Sequence, residues 1–196
     1  FLILTSVAFS SISNADESKI PEPFRGENAQ SEFTLTYDDI SQVLGRYVVD
    51  LGMSDRSVAN RVTANLNTRL RENIKRKTAL EANRFYFEAF NEKNTEKDIF
   101  TKIRKSLETI PNEISLAELN QSEQLAYWLN LYNVAILREL IGISSKSVLA
   151  DPLYGEDSML DKKILTVTGE KLSLNDIQFK IIYPLFSNNP LVLYGF

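Results

Sequence analysis

Apolar residues recur every three or four positions along most of the chain, which is the spacing of an amphipathic helix. A first helix is predicted from Thr36, which forms a capping box with Asp39, to Gly52, which supplies a stop. Another is predicted from Glu96 to Thr109. It should end before Pro111, because the residue before a proline tends to leave the helical region. Weaker stripes predict two more helices between these, over residues 58–74 and 79–90.

The most distinctive element is a long helix from Gln121 to Ile141 that is apolar almost all round. A helix without a broad polar face is typical of a central, buried position. Asn120 precedes it as a cap, with Glu123 three residues further on. Trp128 lies on the face opposite Glu123, and we expect it in the core.

The pattern becomes that of strands toward the C-terminus. Residues 164–167 and 172–174 flank Thr168-Gly169-Glu170-Lys171 and predict a β-hairpin. Ser173 and Asp176 form a second capping box, before a short helix that should end at Pro184. Residues 190–196 are predicted to form a strand. The predicted fold class is therefore mainly helical α+β, with N-terminal helices packed on a central buried helix and a β-hairpin and short strands toward the C-terminus.

Three segments are expected along the chain. Residues 1–15 form an apolar run that closes on the small residues Ser13 and Ala15, as the later part of a secretory signal peptide does. Residues 16–35 are polar, which predicts a leader that precedes the fold. Residues 36–196 then fit a single domain. We therefore expect an exported protein, periplasmic or extracellular, without a transmembrane segment once the signal peptide is removed.

The composition narrows the chemistry. The chain has neither Cys nor His, so thiol chemistry and the usual imidazole base or metal ligand are excluded. Its net charge of -4 gives no case for a nucleic acid partner, and no cofactor or metal is expected. The loop ADPLYGEDSMLD, residues 150–161, carries four acidic side chains around Gly155. It lacks the alternating ligand spacing of a calcium loop, so we interpret it as a polar loop.

A polar stripe on the central helix is the first candidate site. Glu123, Asn130 and Asn133 fall within about 80° of one another on a helical wheel. The favoured interpretation is a buried hydrogen-bond network that ties the helix to neighbouring loops, because unpaired buried polar groups are costly. The alternative is a cleft wall in which Glu123 acts as acid, base or cation partner and the two amides orient a ligand.

A basic segment is the second candidate site. Between Arg56 and Arg84 there are eight basic and two acidic side chains, a local net charge of +6 in a chain that is negative overall. A functional interpretation is an anion site for lipid headgroups, anionic glycans or an acidic protein partner. The favoured alternative is a solvated helical face. The candidate anion-binding residues are Arg69, Arg71, Arg76 and Lys77.

The central stretch EQLAYWLNLYN, residues 123–133, resembles the signature helix of the domain of unknown function 547 family. Similar stretches are EANRFYFEAF (81–90), KKILTVTGEKLSLNDIQ (162–178) and NPLVLYGF (189–196), so the resemblance extends from Thr36 to the C-terminus. Members of the family continue beyond this point, and many carry a His and a Cys near the last strand. Residues 191–196 have neither. The resemblance implies a missing C-terminal part and assigns no activity.

Two functions follow as hypotheses. The first is a binding or interaction module of the bacterial envelope, with an anionic envelope component or a protein as its partner. It rests on the absence of His and Cys and on the segregated basic segment. The alternative is a hydrolase or transferase whose cleft is lined by Glu123, Asn130 and Asn133 and completed by residues beyond Phe196.

Overall fold

The computed structural model describes residues 20–49, 84–90, 97–143, 150–187, 189–190, 192 and 195. Their fold is mainly helical α+β, as the sequence predicts. The helices are α1 (Asp38–Tyr47), α2 (Lys97–Glu113), α3 (Gln121–Gly142), α4 (Ala150–Tyr154), a π-helical segment (Asp176–Ile182) and α5 (Tyr183–Phe186). The strands are β1 (Val48–Val49), β2 (Arg84–Phe85), β3 (Leu165–Val167) and β4 (Glu170–Leu172). The chain divides into a smaller unit, Tyr37–Glu96, and a larger unit, Phe1–Thr36 with Lys97–Phe196.

Helix α1 of the smaller unit begins and ends differently from the prediction. Its N-cap is Tyr37, which makes no side-chain capping bond. Asp39 Oδ1 instead accepts from the N–H of the next residue at 2.8 Å, so the predicted capping box of Thr36 and Asp39 is wrong. The helix ends at Tyr47 rather than at Gly52, because the residues of β1 that follow pair antiparallel with β2.

Helix α2 of the larger unit continues through Pro111, so the prediction that it stops before this residue is wrong. Proline has no N–H and cannot donate to the carbonyl four residues earlier, which is that of Leu107. The phenol of Tyr127 on α3 donates to this carbonyl at 3.2 Å. The regular ladder then resumes with a 3.0 Å bond from Ile114 N–H to the Ile110 carbonyl. A side chain of the neighbouring helix thus replaces the donor that proline lacks.

Helix α3 forms the core of the larger unit, as predicted. Asn120 Oδ1 caps it by accepting from Glu123 N–H at 3.0 Å. Tyr127 and Trp128 are fully buried, with ring centroids 5.0 Å apart in an edge-on arrangement. Helix α2 and the π segment both pack against α3. The apolar surface of α3 is therefore buried on several sides, which is why its sequence shows so little polar face.

Residues 20–35, which the sequence places before the fold, pack onto the start of α3; we call them the N-terminal strap. Ile20 and Phe24 are buried, and the Phe24 ring meets the Trp128 ring edge-on at 5.0 Å. Asn28 N–H donates to the Leu119 carbonyl at 3.1 Å. The expectation that residues 16–35 form a leader outside the fold is therefore wrong from residue 20 onward. The mostly polar composition of the strap gives no sign that Ile20 and Phe24 are buried.

The predicted hairpin is present, with a tighter turn than expected. Strands β3 and β4 pair with Leu165 opposite Leu172 and Val167 opposite Glu170. The turn is only Thr168-Gly169, whose φ angles of 49° and 87° are both positive. Two positive φ angles characterise the type I′ turn, whose twist matches that of the flanking strands. Glu170 therefore belongs to β4 rather than to the turn.

The second predicted capping box, of Ser173 and Asp176, is confirmed. Ser173 Oγ accepts from Asp176 N–H at 3.1 Å, and Asp176 Oδ2 accepts from Ser173 N–H at 2.7 Å. The helix that follows is π-helical over Asp176–Ile182 before it continues as α5. Pro184 lies in the first turn of α5, so the prediction that it ends the helix is wrong.

The predicted strand over residues 190–196 is wrong for the residues described there. Val192 N–H donates to the Asn189 carbonyl at 3.2 Å, and Gly195 N–H donates to the Val192 carbonyl at 3.3 Å. Such bonds between residues three apart are those of tight turns. Short-range bonding of this kind uses donors that a strand would present to a neighbouring strand.

Candidate functional site

The three residues of the predicted polar stripe do not meet at one point. Glu123 and Asn133 are ten residues apart, which is about 15 Å along a helix axis. Glu123 Oε2 accepts from Leu35 N–H of the N-terminal strap at 3.1 Å. Asn130 Nδ2 donates to the Ala126 carbonyl, one turn earlier in α3, at 2.9 Å. Asn133 is exposed and lines a cleft.

Gln124 is the buried amide of α3, and the stripe does not include it. Its side chain is 2% exposed, and Nε2 donates to the carbonyls of Gly26 at 2.9 Å and Leu116 at 2.8 Å. Asn120 Nδ2 adds a 3.3 Å bond to the Ser31 carbonyl. This network fastens the N-terminal strap to α3. The partners of Gln124 in the strap lie far away in sequence, so no local pattern reveals them.

A cleft of about 700 Å³ opens beside the second half of α3; we call it the Asn133 cleft. This volume lies within the range of about 300–1,000 Å³ that is usual for small-molecule sites. Three walls of the larger unit form it. Helix α3 contributes Tyr132 and Asn133, α4 and its following loop contribute Tyr154 and Asp161, and the π segment contributes Gln178 and Phe179.

The loop wall of the cleft is held in shape by Ser158, which is buried. Its Oγ donates to the Leu153 carbonyl and accepts from Leu160 N–H at 3.1 Å. Asp161 Oδ1 accepts from Asn175 Nδ2 at 2.7 Å, which joins the loop to the turn before the π segment. This wall is the acidic loop of residues 150–161. Its composition indicates a polar loop but gives no sign of the cleft.

The third wall starts at Asp176, a buried carboxylate. Asp176 binds Lys163 through Oδ2, and its Oδ1 lies 2.8 Å from Lys180 Nζ. Burial raises the pKa of the Asp176 carboxyl. The hydrogen bonds from Lys163, Lys180 and Ser173 outweigh this effect and hold its pKa well below the ordinary value. The carboxylate therefore stays ionised and anchors the π segment. π-Helical segments are rare, and they are frequent at functional sites.

Aromatic rings form both the buried floor of the cleft and part of its exposed surface. Tyr132 is 5% exposed, whereas Tyr154 is 79% exposed and Phe179 is 55% exposed. Burial, and then the neighbouring phenols of Tyr154 and Tyr183, raise the pKa of the Tyr132 phenol, so it remains a neutral hydroxyl at physiological pH. The Phe179 ring meets the Tyr183 ring edge-on at 5.4 Å, which braces it. Large rings at such high exposure are available to a ligand.

The predicted anion-binding residues Arg69, Arg71, Arg76 and Lys77 lie outside the described residues, and their interpretation stays a prediction. Within the described ranges, no group of three acidic side chains comes together as a metal site requires. No helix in the same ranges combines the length and the apolar character of a membrane span.

Residues 116–191 match the family model described as "Protein of unknown function, DUF547". The chain thus resembles the domain of unknown function 547 family, over a narrower range than the one expected from Thr36 to the C-terminus. Every described residue that lines the Asn133 cleft falls within the matched range. Comparisons with curated proteins and with solved structures give no match. The family description assigns no activity.

Proposed function

We propose that the chain is an exported binding module of the bacterial envelope and that the Asn133 cleft holds its ligand. One observation carries the proposal: three separate parts of the larger unit converge on a cleft of about 700 Å³ that combines exposed aromatic rings with amide side chains. Apolar walls with a few convergent polar groups are the usual composition of a ligand site. The cleft also lies wholly within the residues that resemble the family.

Most polar side chains of the lining suit binding. Asn133, Asn175 and Gln178 line the cleft, and amides donate and accept hydrogen bonds without changing their protonation. General acid or base catalysis needs a group that can transfer a proton, and Asp161 is the one carboxylate in the described lining, where its Oδ1 accepts from Asn175 Nδ2. The rival hydrolase or transferase hypothesis uses Glu123, Asn130 and Asn133. Of these three, Asn133 lines the cleft, whereas Glu123 binds Leu35 N–H and Asn130 binds the Ala126 carbonyl.

Two features of the N-terminus support export. The apolar run of residues 1–15 ends on small residues, as a signal peptide does. The N-terminal strap begins with the buried Ile20, so cleavage near Ala15 leaves the strap intact. We expect the protein, expressed from its native reading frame, to lose its first residues near Ala15 on reaching the periplasm. Retention in the cytoplasm, or a mature protein that begins upstream of Phe9, would contradict this expectation.

The proposed binding role of the cleft is tested by a substitution that fills the cleft with a large side chain. Asn133→Trp places a large ring in the cleft from an exposed position on α3, and Ser122→Trp is the matched control, because Ser122 is exposed on the same helix outside the cleft. The probes are cellotetraose, trialanine, adenosine and palmitate, which differ in chemical class. Saturation-transfer NMR should detect binding of at least one probe to the wild type. The Asn133→Trp variant should lose this binding, and the Ser122→Trp variant should keep it. Binding of none, or binding that Asn133→Trp leaves unchanged, would overturn the proposal.

A further inference from the structure

We infer that the ligand of the Asn133 cleft is a neutral or cationic oligosaccharide, a conclusion that rests on the binding role proposed above. Three independent properties of the cleft lead to this class: the exposure of its rings, the donor and acceptor balance of its polar groups, and the sign of its charge.

The first property is the exposure of the rings. Tyr154 and Phe179 border the cleft and are 79% and 55% exposed, so their faces meet water unless a ligand covers them. A pyranose ring has a flat face of C–H groups that packs against an aromatic face and removes apolar area from water. The edge-on contact of Tyr183 at 5.4 Å fixes the orientation of the Phe179 ring before a ligand arrives. The Phe179 side chain therefore loses little conformational entropy on binding.

The second property is the mixture of donors and acceptors. Asn133, Asn175 and Gln178 each carry an amide NH₂ and an amide carbonyl, and Asp161 carries a carboxylate. A sugar hydroxyl both donates and accepts, so neighbouring hydroxyls use both kinds of group at once. The 2.7 Å bond from Asn175 Nδ2 to Asp161 Oδ1 holds one such pair in place, with the second carboxylate oxygen of Asp161 left to accept from a ligand hydroxyl. A fatty acid would leave these polar groups without partners, at a cost.

The third property is charge. Asp161 gives the described lining a negative charge. Lys163 and Lys180 do not line the cleft, and both bind the Asp176 carboxylate, which offsets one of their two positive charges. A carboxylate that faces the ligand directly repels an anionic sugar and accepts a neutral or cationic one. The basic segment, for which an anionic partner is predicted, consists of other residues of the chain.

The decisive probes share one skeleton and differ in charge: cellotetraose is neutral, and its uronic acid counterpart carries a carboxylate on every ring. Isothermal titration of the whole protein should show cellotetraose binding at least about tenfold tighter than the uronic acid tetramer. Asp161→Asn should lower the ratio of the two affinities, because it removes the negative charge and keeps the side-chain shape. An unchanged ratio in Asp161→Asn, or tighter binding of the uronic acid, would overturn the inference.

The stacking surface has its own test. Tyr154→Ala should weaken cellotetraose binding about tenfold or more and leave the melting temperature unchanged, because the ring is mostly exposed. Phe33→Ala removes a ring that is 56% exposed and lies outside the cleft, and it should leave binding unchanged. If trialanine or adenosine binds in the cleft and cellotetraose does not, the sugar assignment fails while the binding role stands. If none of the probes binds, both fail.

Discussion

The phenol of Tyr127 donates a 3.2 Å hydrogen bond to the carbonyl oxygen of Leu107, the acceptor that Pro111 leaves without its helical donor. Both groups are buried between α2 and α3, where an unsatisfied carbonyl is costly. The pairing therefore makes two residues on different helices depend on each other, and a proline that would weaken an isolated helix is accommodated inside α2.

This dependence predicts a non-additive pair of mutations. Tyr127→Phe should lower the free energy of unfolding by about 1–3 kcal/mol, since it leaves the Leu107 carbonyl unsatisfied. In a Pro111→Ala background the restored N–H of residue 111 can bond to the Leu107 carbonyl. There, Tyr127→Phe should lower the free energy of unfolding by about 1 kcal/mol less than it does in the wild type. Urea unfolding of the four proteins measures the coupling. Tyr154→Phe, at an exposed phenol, is the control. Equal costs of Tyr127→Phe in both backgrounds would show that the proline plays no part.

Gln124 should control the attachment of the N-terminal strap. Gln124→Leu keeps the approximate size but leaves the carbonyls of Gly26 and Leu116 without their donor, at a cost of about 1–3 kcal/mol for each buried group left unpaired. We expect trypsin to cut after Arg25 faster in this variant, because the strap detaches more often. Gln121→Leu, at an exposed position of the same helix, should leave the cleavage rate unchanged. Similar rates in the two variants would assign the fastening of the strap to its apolar anchors alone.

The lowered pKa of Asp176 sets a pH dependence. A carboxyl whose folded pKa is below its unfolded value stabilises the fold above the unfolded pKa, and this stability is lost as the pH falls toward the folded pKa. The unfolded pKa is about 3.9, so the loss should begin below about pH 4. Asp176→Asn should lower stability at pH 7 by about 1.5–3 kcal/mol, because it removes charge-assisted hydrogen bonds.

As the pH falls below about 4, the Asp176→Asn variant should also lose less folding stability than the wild type. Thermal unfolding across this range gives the comparison, with Asp157→Asn as the control at an exposed carboxylate. A wild-type profile that Asp176→Asn reproduces throughout would rule out Asp176 as the source of the acid sensitivity.

The hairpin turn leaves room for a stabilising change. Thr168 has a φ of 49°, a left-handed conformation that is unfavourable for a β-branched residue. Asn tolerates this region better and is favoured in type I′ turns, so Thr168→Asn should raise the free energy of unfolding by about 1 kcal/mol. Gly169→Ala should lower it by about the same amount, because its φ of 87° also suits glycine. Chemical denaturation of both variants checks the opposite signs.

Some local signals in the sequence predict local structure correctly, whereas others, such as the capping box of Thr36 and the helix stops at Pro111 and Pro184, are wrong. The Asn120 cap, the box of Ser173 and Asp176 and the Thr168-Gly169 turn all involve residues no more than three apart, and the structure contains each of them. The mainly helical class followed from the helical spacing of apolar residues. These features are encoded by neighbours in the chain, so a single sequence is enough to find them.

Long-range relations account for what the sequence missed. Nothing near Pro111 shows that a phenol on another helix would replace its missing donor. The π segment, Asp176–Ile182, has no residue pattern that separates it from a short α-helix. The Asn133 cleft depends on where three separated stretches meet, so Asn133 was the one stripe residue that pointed to it, while Tyr154 and Phe179 carried no pattern of their own.

The N-terminal strap imposes an order on folding. Its hydrogen bonds to Glu123, Asn120 and Gln124 span 88, 89 and 98 residues of sequence. Closing loops of this length costs chain entropy, and the strap has no docking surface until α3 has formed. Residues that leave the ribosome early must therefore wait for a helix made about a hundred residues later. The strap can therefore reach its native position only once α3 is in place.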